Sequence, residues 1–247
     1  MRKVVNSFDR AWRSRCASAL LIVAALPAAY AQPPAPKPFR AEYDVIWKGF
    51  SAGTSTLELS AENGDRWRYL SRNQARGLFK IALPGEILQT STFTLEKGRP
   101  QPLKYAADDG TADTSKDIAL TFDRAAGRVR GIAENVAVDV AAGADVQDPM
   151  SGQIALIQAL AAGESPQRYF MIDKTEIKEF VYDAEPASRI RTALGELDTV
   201  VYASHRPGSD RITRIWLAPA LGFTPVQAER RRGSKLEWSM QIRSLRR

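Results

Sequence analysis

Apolar and polar residues alternate with period two through most of this chain, and one stretch breaks that rhythm for a helical one. Phe39, Ala41, Tyr43, Val45 and Trp47 alternate with Arg40, Glu42, Asp44 and Lys48. Neighbouring strand side chains point to opposite faces, so this predicts a half-buried strand with an aromatic inner face. Gly49-Phe50-Ser51-Ala52-Gly53 then reads as a turn, Leu57 and Leu59 resume the alternation, and Asn63-Gly64 signals a hairpin. The following strand sets Trp67 and Tyr69 on one face and Arg66, Arg68, Arg72 and Arg76 on the other. Further strands are predicted at 90–95, 103–106, 118–122 and 129–133, with Val136, Val138 and Val140 leading towards the helical stretch, then 169–182 as one long strand, 189–192, 199–203, 212–217, 226–229 and 236–242.

The helical exception is residues 148–163. Asp148 can cap the first amides, Pro149 suits the first helical position, and Gly163 fits just beyond the end. Met150, Ile154, Leu156, Ile157 and Leu160 spread over most of the circumference, which predicts a buried helix rather than one lying on a surface. Short strands with turn signals and one buried helix point to a mainly β fold: an antiparallel curved sheet, or open barrel, wrapped around that helix. Residues 77–88 fit neither period. Leu78, Phe79, Ile81, Leu83, Ile87 and Leu88 crowd around Pro84-Gly85, as a bent strand or an apolar lip at the mouth of the sheet.

The N-terminus changes the reading of charge and cysteine. Arg2, Lys3, Arg10, Arg13 and Arg15 precede an apolar run at 17–28, and Ala29-Tyr30-Ala31 is an A-x-A site. Residues 1–31 are therefore expected to be a signal peptide, cleaved between Ala31 and Gln32, leaving a periplasmic or secreted protein. Residues 32–38 read as a proline-rich leader, and 39–247 as one β-rich domain. Cleavage removes Cys16, so the mature protein has no cysteine and its core must stabilise it without a disulfide. It also removes a net +4 of the chain's +7, leaving about +3 and no charge argument for nucleic acid. No later apolar run reaches the ~20 residues that a membrane-spanning helix needs.

The order of several short motifs resembles the exported bacterial proteins grouped as domain-of-unknown-function family 3108. These are Tyr43-Asp44-Val45 followed by Gly49 and Gly53, Gly98-Arg99-Pro100-Gln101-Pro102, and Gln147-Asp148-Pro149-Met150-Ser151. Thr192-Ala193-Leu194-Gly195, and Ile215-Trp216-Leu217-Ala218-Pro219 with Pro225-Val226, complete the set. The resemblance implies an exported, mostly antiparallel β protein and supplies no catalytic residues. A curved sheet around one helix is also similar in architecture to the periplasmic lipoprotein carriers.

Candidate chemistry is sparse. Gly49-Phe50-Ser51-Ala52-Gly53 matches the G-x-S-x-G elbow, with Asp198 and His205 downstream, but that elbow needs a strand-to-helix turn and strand-like alternation follows here. His205, the only histidine, reads as a solvated loop residue, and one histidine without cysteine provides no zinc set. Asp108, Asp109, Asp113 and Asp117 depart from the EF-hand spacing and read as a solvated acidic loop. No metal or cofactor is expected. Arg66, Arg68, Arg72 and Arg76 form a stripe, and Arg230-Arg231-Arg232 with Lys235 a basic turn. Both keep a surface solvated, or contact anionic head groups or polysaccharide. Trp47, Trp67, Trp216 and Trp238 are core residues or, in an open sheet, groove residues.

The leading expectation is a non-catalytic envelope protein that binds an apolar or amphipathic ligand such as a lipid or glycolipid. Leu78, Phe79, Leu83, Trp47, Trp67 and Trp216 are its candidate contacts. The alternative is a structural or assembly factor that holds an envelope protein or an anionic polysaccharide. A serine esterase comes third.

Overall fold

The computed structural model describes residues 35–247. The expected signal peptide and the first residues of the leader lie outside the described residues. Eight strands come first: β1 (Phe39–Trp47), β2 (Phe50–Ala61), β3 (Arg66–Ala75), β4 (Glu86–Glu96), β5 (Arg99–Asp108), β6 (Ile118–Asp123), β7 (Arg128–Ala133) and β8 (Val136–Ala141). A four-residue helix, α1 (Phe79–Ala82), joins β3 to β4. Helix α2 (Ser151–Ala161) precedes β9 (Arg168–Asp173), β10 (Glu176–Thr192), β11 (Gly195–His205), β12 (Arg211–Ala218), β13 (Thr224–Arg232) and β14 (Lys235–Arg246).

All fourteen strands belong to one sheet, in the order β8-β7-β6-β5-β4-β3-β2-β1-β14-β13-β12-β11-β10-β9, and every neighbouring pair is antiparallel. The chain thus meanders outward from β1 to β8, then inward from the far edge at β9 until β14 lies beside β1, with Trp47 opposite Trp238. The sheet does not close through β8 and β9. Instead Gln147, just before α2, pairs in parallel with β9: its amide donates to Phe170 O at 2.9 Å, and Ile172 N donates to its carbonyl at 2.9 Å. Lys174 and Glu134 pair at 2.8 Å between the β9/β10 and β7/β8 turns.

The expected helix forms, and its start is built by one side chain. Asp148 Oδ1 accepts from Met150 N and Ser151 N, both at 2.8 Å, and Oδ2 accepts from Ser91 Oγ of β4 at 2.6 Å. Asp148 and Ser91 are fully buried, so the cap also ties α2 to the sheet. Burial pushes the Asp148 carboxyl up; the hydrogen bonds from Ser91, Ser151 and Met150 pull the other way without winning. Gly163, at φ +76°, ends the helix. Ala155 and Ala159 are buried on one side of α2, Leu156 on a second, and Met150, Ile154 and Ile157 on a third, as a helix surrounded by sheet requires. Each of the four larger side chains contributes about 1.5–3 kcal/mol by leaving water.

Two expectations are corrected. Residues 169–182 are not one strand: Lys174, at φ 60°, turns the chain between β9 and β10. The β1/β2 turn is only Lys48-Gly49, and Ser51 already lies in β2 opposite Ile46.

Candidate functional site

In an antiparallel meander alternate turns share an end. The turns at 48–49, 76–85, 109–117, 134–135, 174–175, 206–210 and 233–234 gather at one end of the sheet. At the other end α2 is anchored by Gln158 Nε2 donating to Gly98 O at 3.4 Å, and by Arg99 and Glu164 at 3.6 Å. The helix therefore fills one half of the sheet's interior. Above its first turn lies a cavity of about 940 Å³, near the upper limit of ~1,000 Å³ for ligand pockets.

Strand register sorts part of the wall into layers. Trp47, Trp238, Arg230 and Thr213 stand in one row across β1, β14, β13 and β12, next to the open end. One layer deeper come Val45, Met240, Ala228 and Ile215. Both rows line the cavity. Below them Tyr43, Ile242, Val226 and Leu217 are buried in the core, and Tyr43 Oη donates to Pro225 O at 2.7 Å. Met150 and Pro149 of the helix start form the floor, and Ser71, Asn73 and Gln89 make the facing wall more polar. Gly53 also lines it; a Cβ there would lie 2.0 Å from Gln74 O, so only glycine fits where β2 meets β3.

The mouth is rich in cations. Asp173 pairs with Arg206 at 2.8 Å and with Lys178 at 3.5 Å, and Glu237 with Arg211 at 2.9 Å and Arg232 at 3.2 Å. Arg230 makes no ion pair within 4.0 Å among the described residues. Its Nε donates to Thr213 Oγ1 at 3.0 Å, and its guanidinium carbon stands 5.4 Å from the Trp238 ring centre. Lost hydration, with repulsion from Arg211 and Arg206, outweighs the attraction of Glu237 and Asp173 and holds Arg230 below the usual guanidinium range; it stays charged.

The candidate ligand residues are divided by the fold. Trp47, Phe79 and Leu83 line the cavity. Trp47 and Phe79 meet edge to face, 5.6 Å between ring centres, and Lys48 Nζ sits 4.4 Å from the Trp47 ring centre. In the β3/β4 connection Leu78 and Ile81 are 83% and 81% exposed, and Leu78, unlike Phe79 and Leu83, does not line the cavity. Trp67 and Trp216 pack against the core and do not line the cavity. Arg66, Arg68 and Arg72 share the opposite face of β3 from Tyr69 and Ser71, with Arg72 on Glu86 at 2.7 Å and Arg68 on Glu62 at 3.4 Å, whereas Arg76 lies beyond the strand and does not extend the stripe. Sequence reasoning missed Arg230 as a cavity residue, although Val226, Ala228 and Arg230 share one strand parity.

Asp198 and His205, two members of the serine-hydrolase order, are not brought together. Asp198 lies seven residues from His205 on the same strand, roughly 23 Å at strand rise, and pairs with Arg189 at 3.8 Å. His205 is not a loop residue: it ends β11, lines the cavity, and its Nε2 lies 3.2 Å from Asp183 Oδ2. Asp108, Asp109 and Asp117 bring carboxylate oxygens within 4.8 Å of one another, while Asp113 caps Ser115 N at 2.9 Å. Asp108 and Asp109 accept the amides of Gly110 and Thr111, at 2.7 and 3.0 Å, as ordinary loop aspartates do.

No helix among the described residues is long and apolar enough to cross a membrane. No match was found among curated proteins. Among solved structures the chain is similar to a β-barrel-like protein of domain of unknown function DUF1849 from Brucella abortus. That likeness has 12% identity and a TM-score of 0.52, covering 86% of this chain and 98% of that one. A weaker likeness, TM-score 0.38 at 15% identity, is to the Pseudomonas aeruginosa MucA/MucB complex structure, covering 85% of this chain and 51% of that one. The first supports the barrel-like fold and nothing about activity. Residues 42–233 match the family model of proteins of unknown function DUF3108, and the chain belongs to that family.

Proposed function

We propose that this protein is an exported, non-catalytic envelope protein that holds an apolar or amphipathic ligand, such as a lipid or glycolipid, in the cavity above α2. The supporting observation is the cavity itself: about 940 Å³, floored by Met150 and walled by Val45, Met240, Ala228 and Ile215. An aliphatic occupant lying against these apolar side chains would remove hydrocarbon surface from water, which is favourable. Export, to the periplasm or beyond after cleavage between Ala31 and Gln32, rests on the N-terminal sequence. The outward arginine stripe gives the polysaccharide or protein-holding alternative less support, because Arg68 and Arg72 already face carboxylates.

The test is titration of the mature protein with the uncharged fluorophore N-phenyl-1-naphthylamine, for the wild type and for Ala228→Trp. Ala228 is 3% exposed and lines the cavity, so an indole there takes up ligand space. Saturable one-site fluorescence in the wild type, lost in a variant with unchanged circular dichroism, is the expected result. Absence of saturable binding, or equal binding by both proteins, contradicts the reading.

A further inference from the structure

We propose that the cavity selects amphiphiles with an anionic oxygen head, a carboxylate or phosphate monoester on an aliphatic chain, and that Arg230 binds the head. This rests on the cavity being a ligand site and names the class of ligand.

Arg230 belongs to the layer nearest the open end, while the layer beneath it, Ala228, Met240, Val45 and Ile215, is apolar apart from backbone. A ligand entering from the mouth therefore meets a cation first and hydrocarbon below. That order suits a head at the opening and a chain pointing to the helix.

Next comes the state of the guanidinium. Nearby Arg206 and Arg211 each have a carboxylate within 2.9 Å, whereas Arg230 has a hydroxyl and an indole face. A partly desolvated cation with no carboxylate of the described residues within 4.0 Å, balanced only by the more distant charges of Glu237 and Asp173, is stabilised by an anion arriving in the cavity. Thr213 occupies Nε and Trp238 flanks the guanidinium, so the side chain is oriented before a ligand arrives. Its terminal nitrogens suit a planar carboxylate or two phosphate oxygens. The paired neighbours matter too: Asp173 and Glu237 each already face two cations, so the mouth attracts anions and repels cationic heads.

The experiment uses the mature full-length chain loaded with N-phenyl-1-naphthylamine, displaced by ligands of one chain length below their micellar concentrations. The competitors are dodecanoate, dodecyl phosphate, monododecanoylglycerol and dodecyltrimethylammonium, each against wild type, Arg230→Gln and Arg231→Gln. Arg231 pairs with Glu229 at 2.9 Å, which makes it the charge control. The wild type should favour one or both anionic heads over the uncharged one by at least tenfold, with the cationic head weakest. Arg230→Gln should lose that preference while keeping its affinity for monododecanoylglycerol, and Arg231→Gln should keep it. A preference for dodecanoate alone identifies a carboxylate ligand, and one for dodecyl phosphate alone a phosphate head. Equal wild-type affinity for all four heads overturns the proposal without needing a variant, as does a preference that survives in Arg230→Gln; both leave the cavity reading intact. Failure of the fluorophore to bind at all overturns the cavity reading and this one together.

Discussion

Removing the Asp148 side chain should cost this protein far more than removing its charge. In Asp148→Ala three buried donors lose their acceptor: Met150 N and Ser151 N, each at 2.8 Å, and Ser91 Oγ at 2.6 Å. A lost N-cap costs about 0.5–2 kcal/mol, and a buried donor left unpaired about 1–3 kcal/mol. The terms overlap, and the variant also escapes the cost of burying a carboxylate, so the expected net loss is about 3–4 kcal/mol. Asp148→Asn keeps an oxygen for both amides and offers Ser91 a donor, so its stability should stay within about 1 kcal/mol of the wild type.

The pH dependence has a definite sign. Burial raises the Asp148 pKa in the folded state, so folding penalises the ionised form. That penalty is complete above the folded pKa and disappears as pH falls to the unfolded value, about 3.9. The advantage of Asp148→Asn over wild type should therefore be largest at neutral pH and shrink on acidification. Urea unfolding followed by tryptophan fluorescence between pH 4 and 8 reads all three proteins. Asparagine as damaging as alanine, or an alanine variant within 1 kcal/mol of wild type, would refute the reasoning.

Three further outcomes are expected. Gly53→Ala should lose about 1–3 kcal/mol in the same unfolding assay, because its Cβ would sit 2.0 Å from a main-chain oxygen of β3. Ile154→Ala should lose about 2–5 kcal/mol, since Ile154 is 0% exposed between helix and sheet; a smaller loss would mean that the sheet collapses around the helix. Leu78→Ser with Ile81→Ser should change stability by less than about 0.5 kcal/mol, both side chains being mostly in solvent, and a large loss would show that they pack inward.

The sequence made the sheet and its helix legible because both rest on local rules. Phe39 to Tyr43 alternates cleanly since one face meets the core, and Asp148, Pro149 and Gly163 act within one turn of their own helix ends. What it concealed depends on distant partners or exceptional backbone. Lys174 adopts a left-handed conformation that lysine seldom takes, so the β9/β10 turn carried no glycine signal. His205 reads as solvated until the strand register places Asp183 beside it. Arg230 hides inside a run of three arginines that looks like an exposed turn, and only its parity with Val226 and Ala228 sends it inward. Trp47 and Trp216 look alike in sequence; the bulge between Trp216 and Leu217 and the wall formed by Thr213 and Ile215 distinguish them.

Native mass spectrometry of the mature protein purified gently from an envelope fraction, with lipid extraction of the same sample, shows whether the cavity is occupied. The account predicts a ligand of lipid-like mass near one per chain, lost on denaturation and absent from Ala228→Trp prepared in parallel. A clean ligand-free mass, in a protein that also fails to take up N-phenyl-1-naphthylamine, would contradict it.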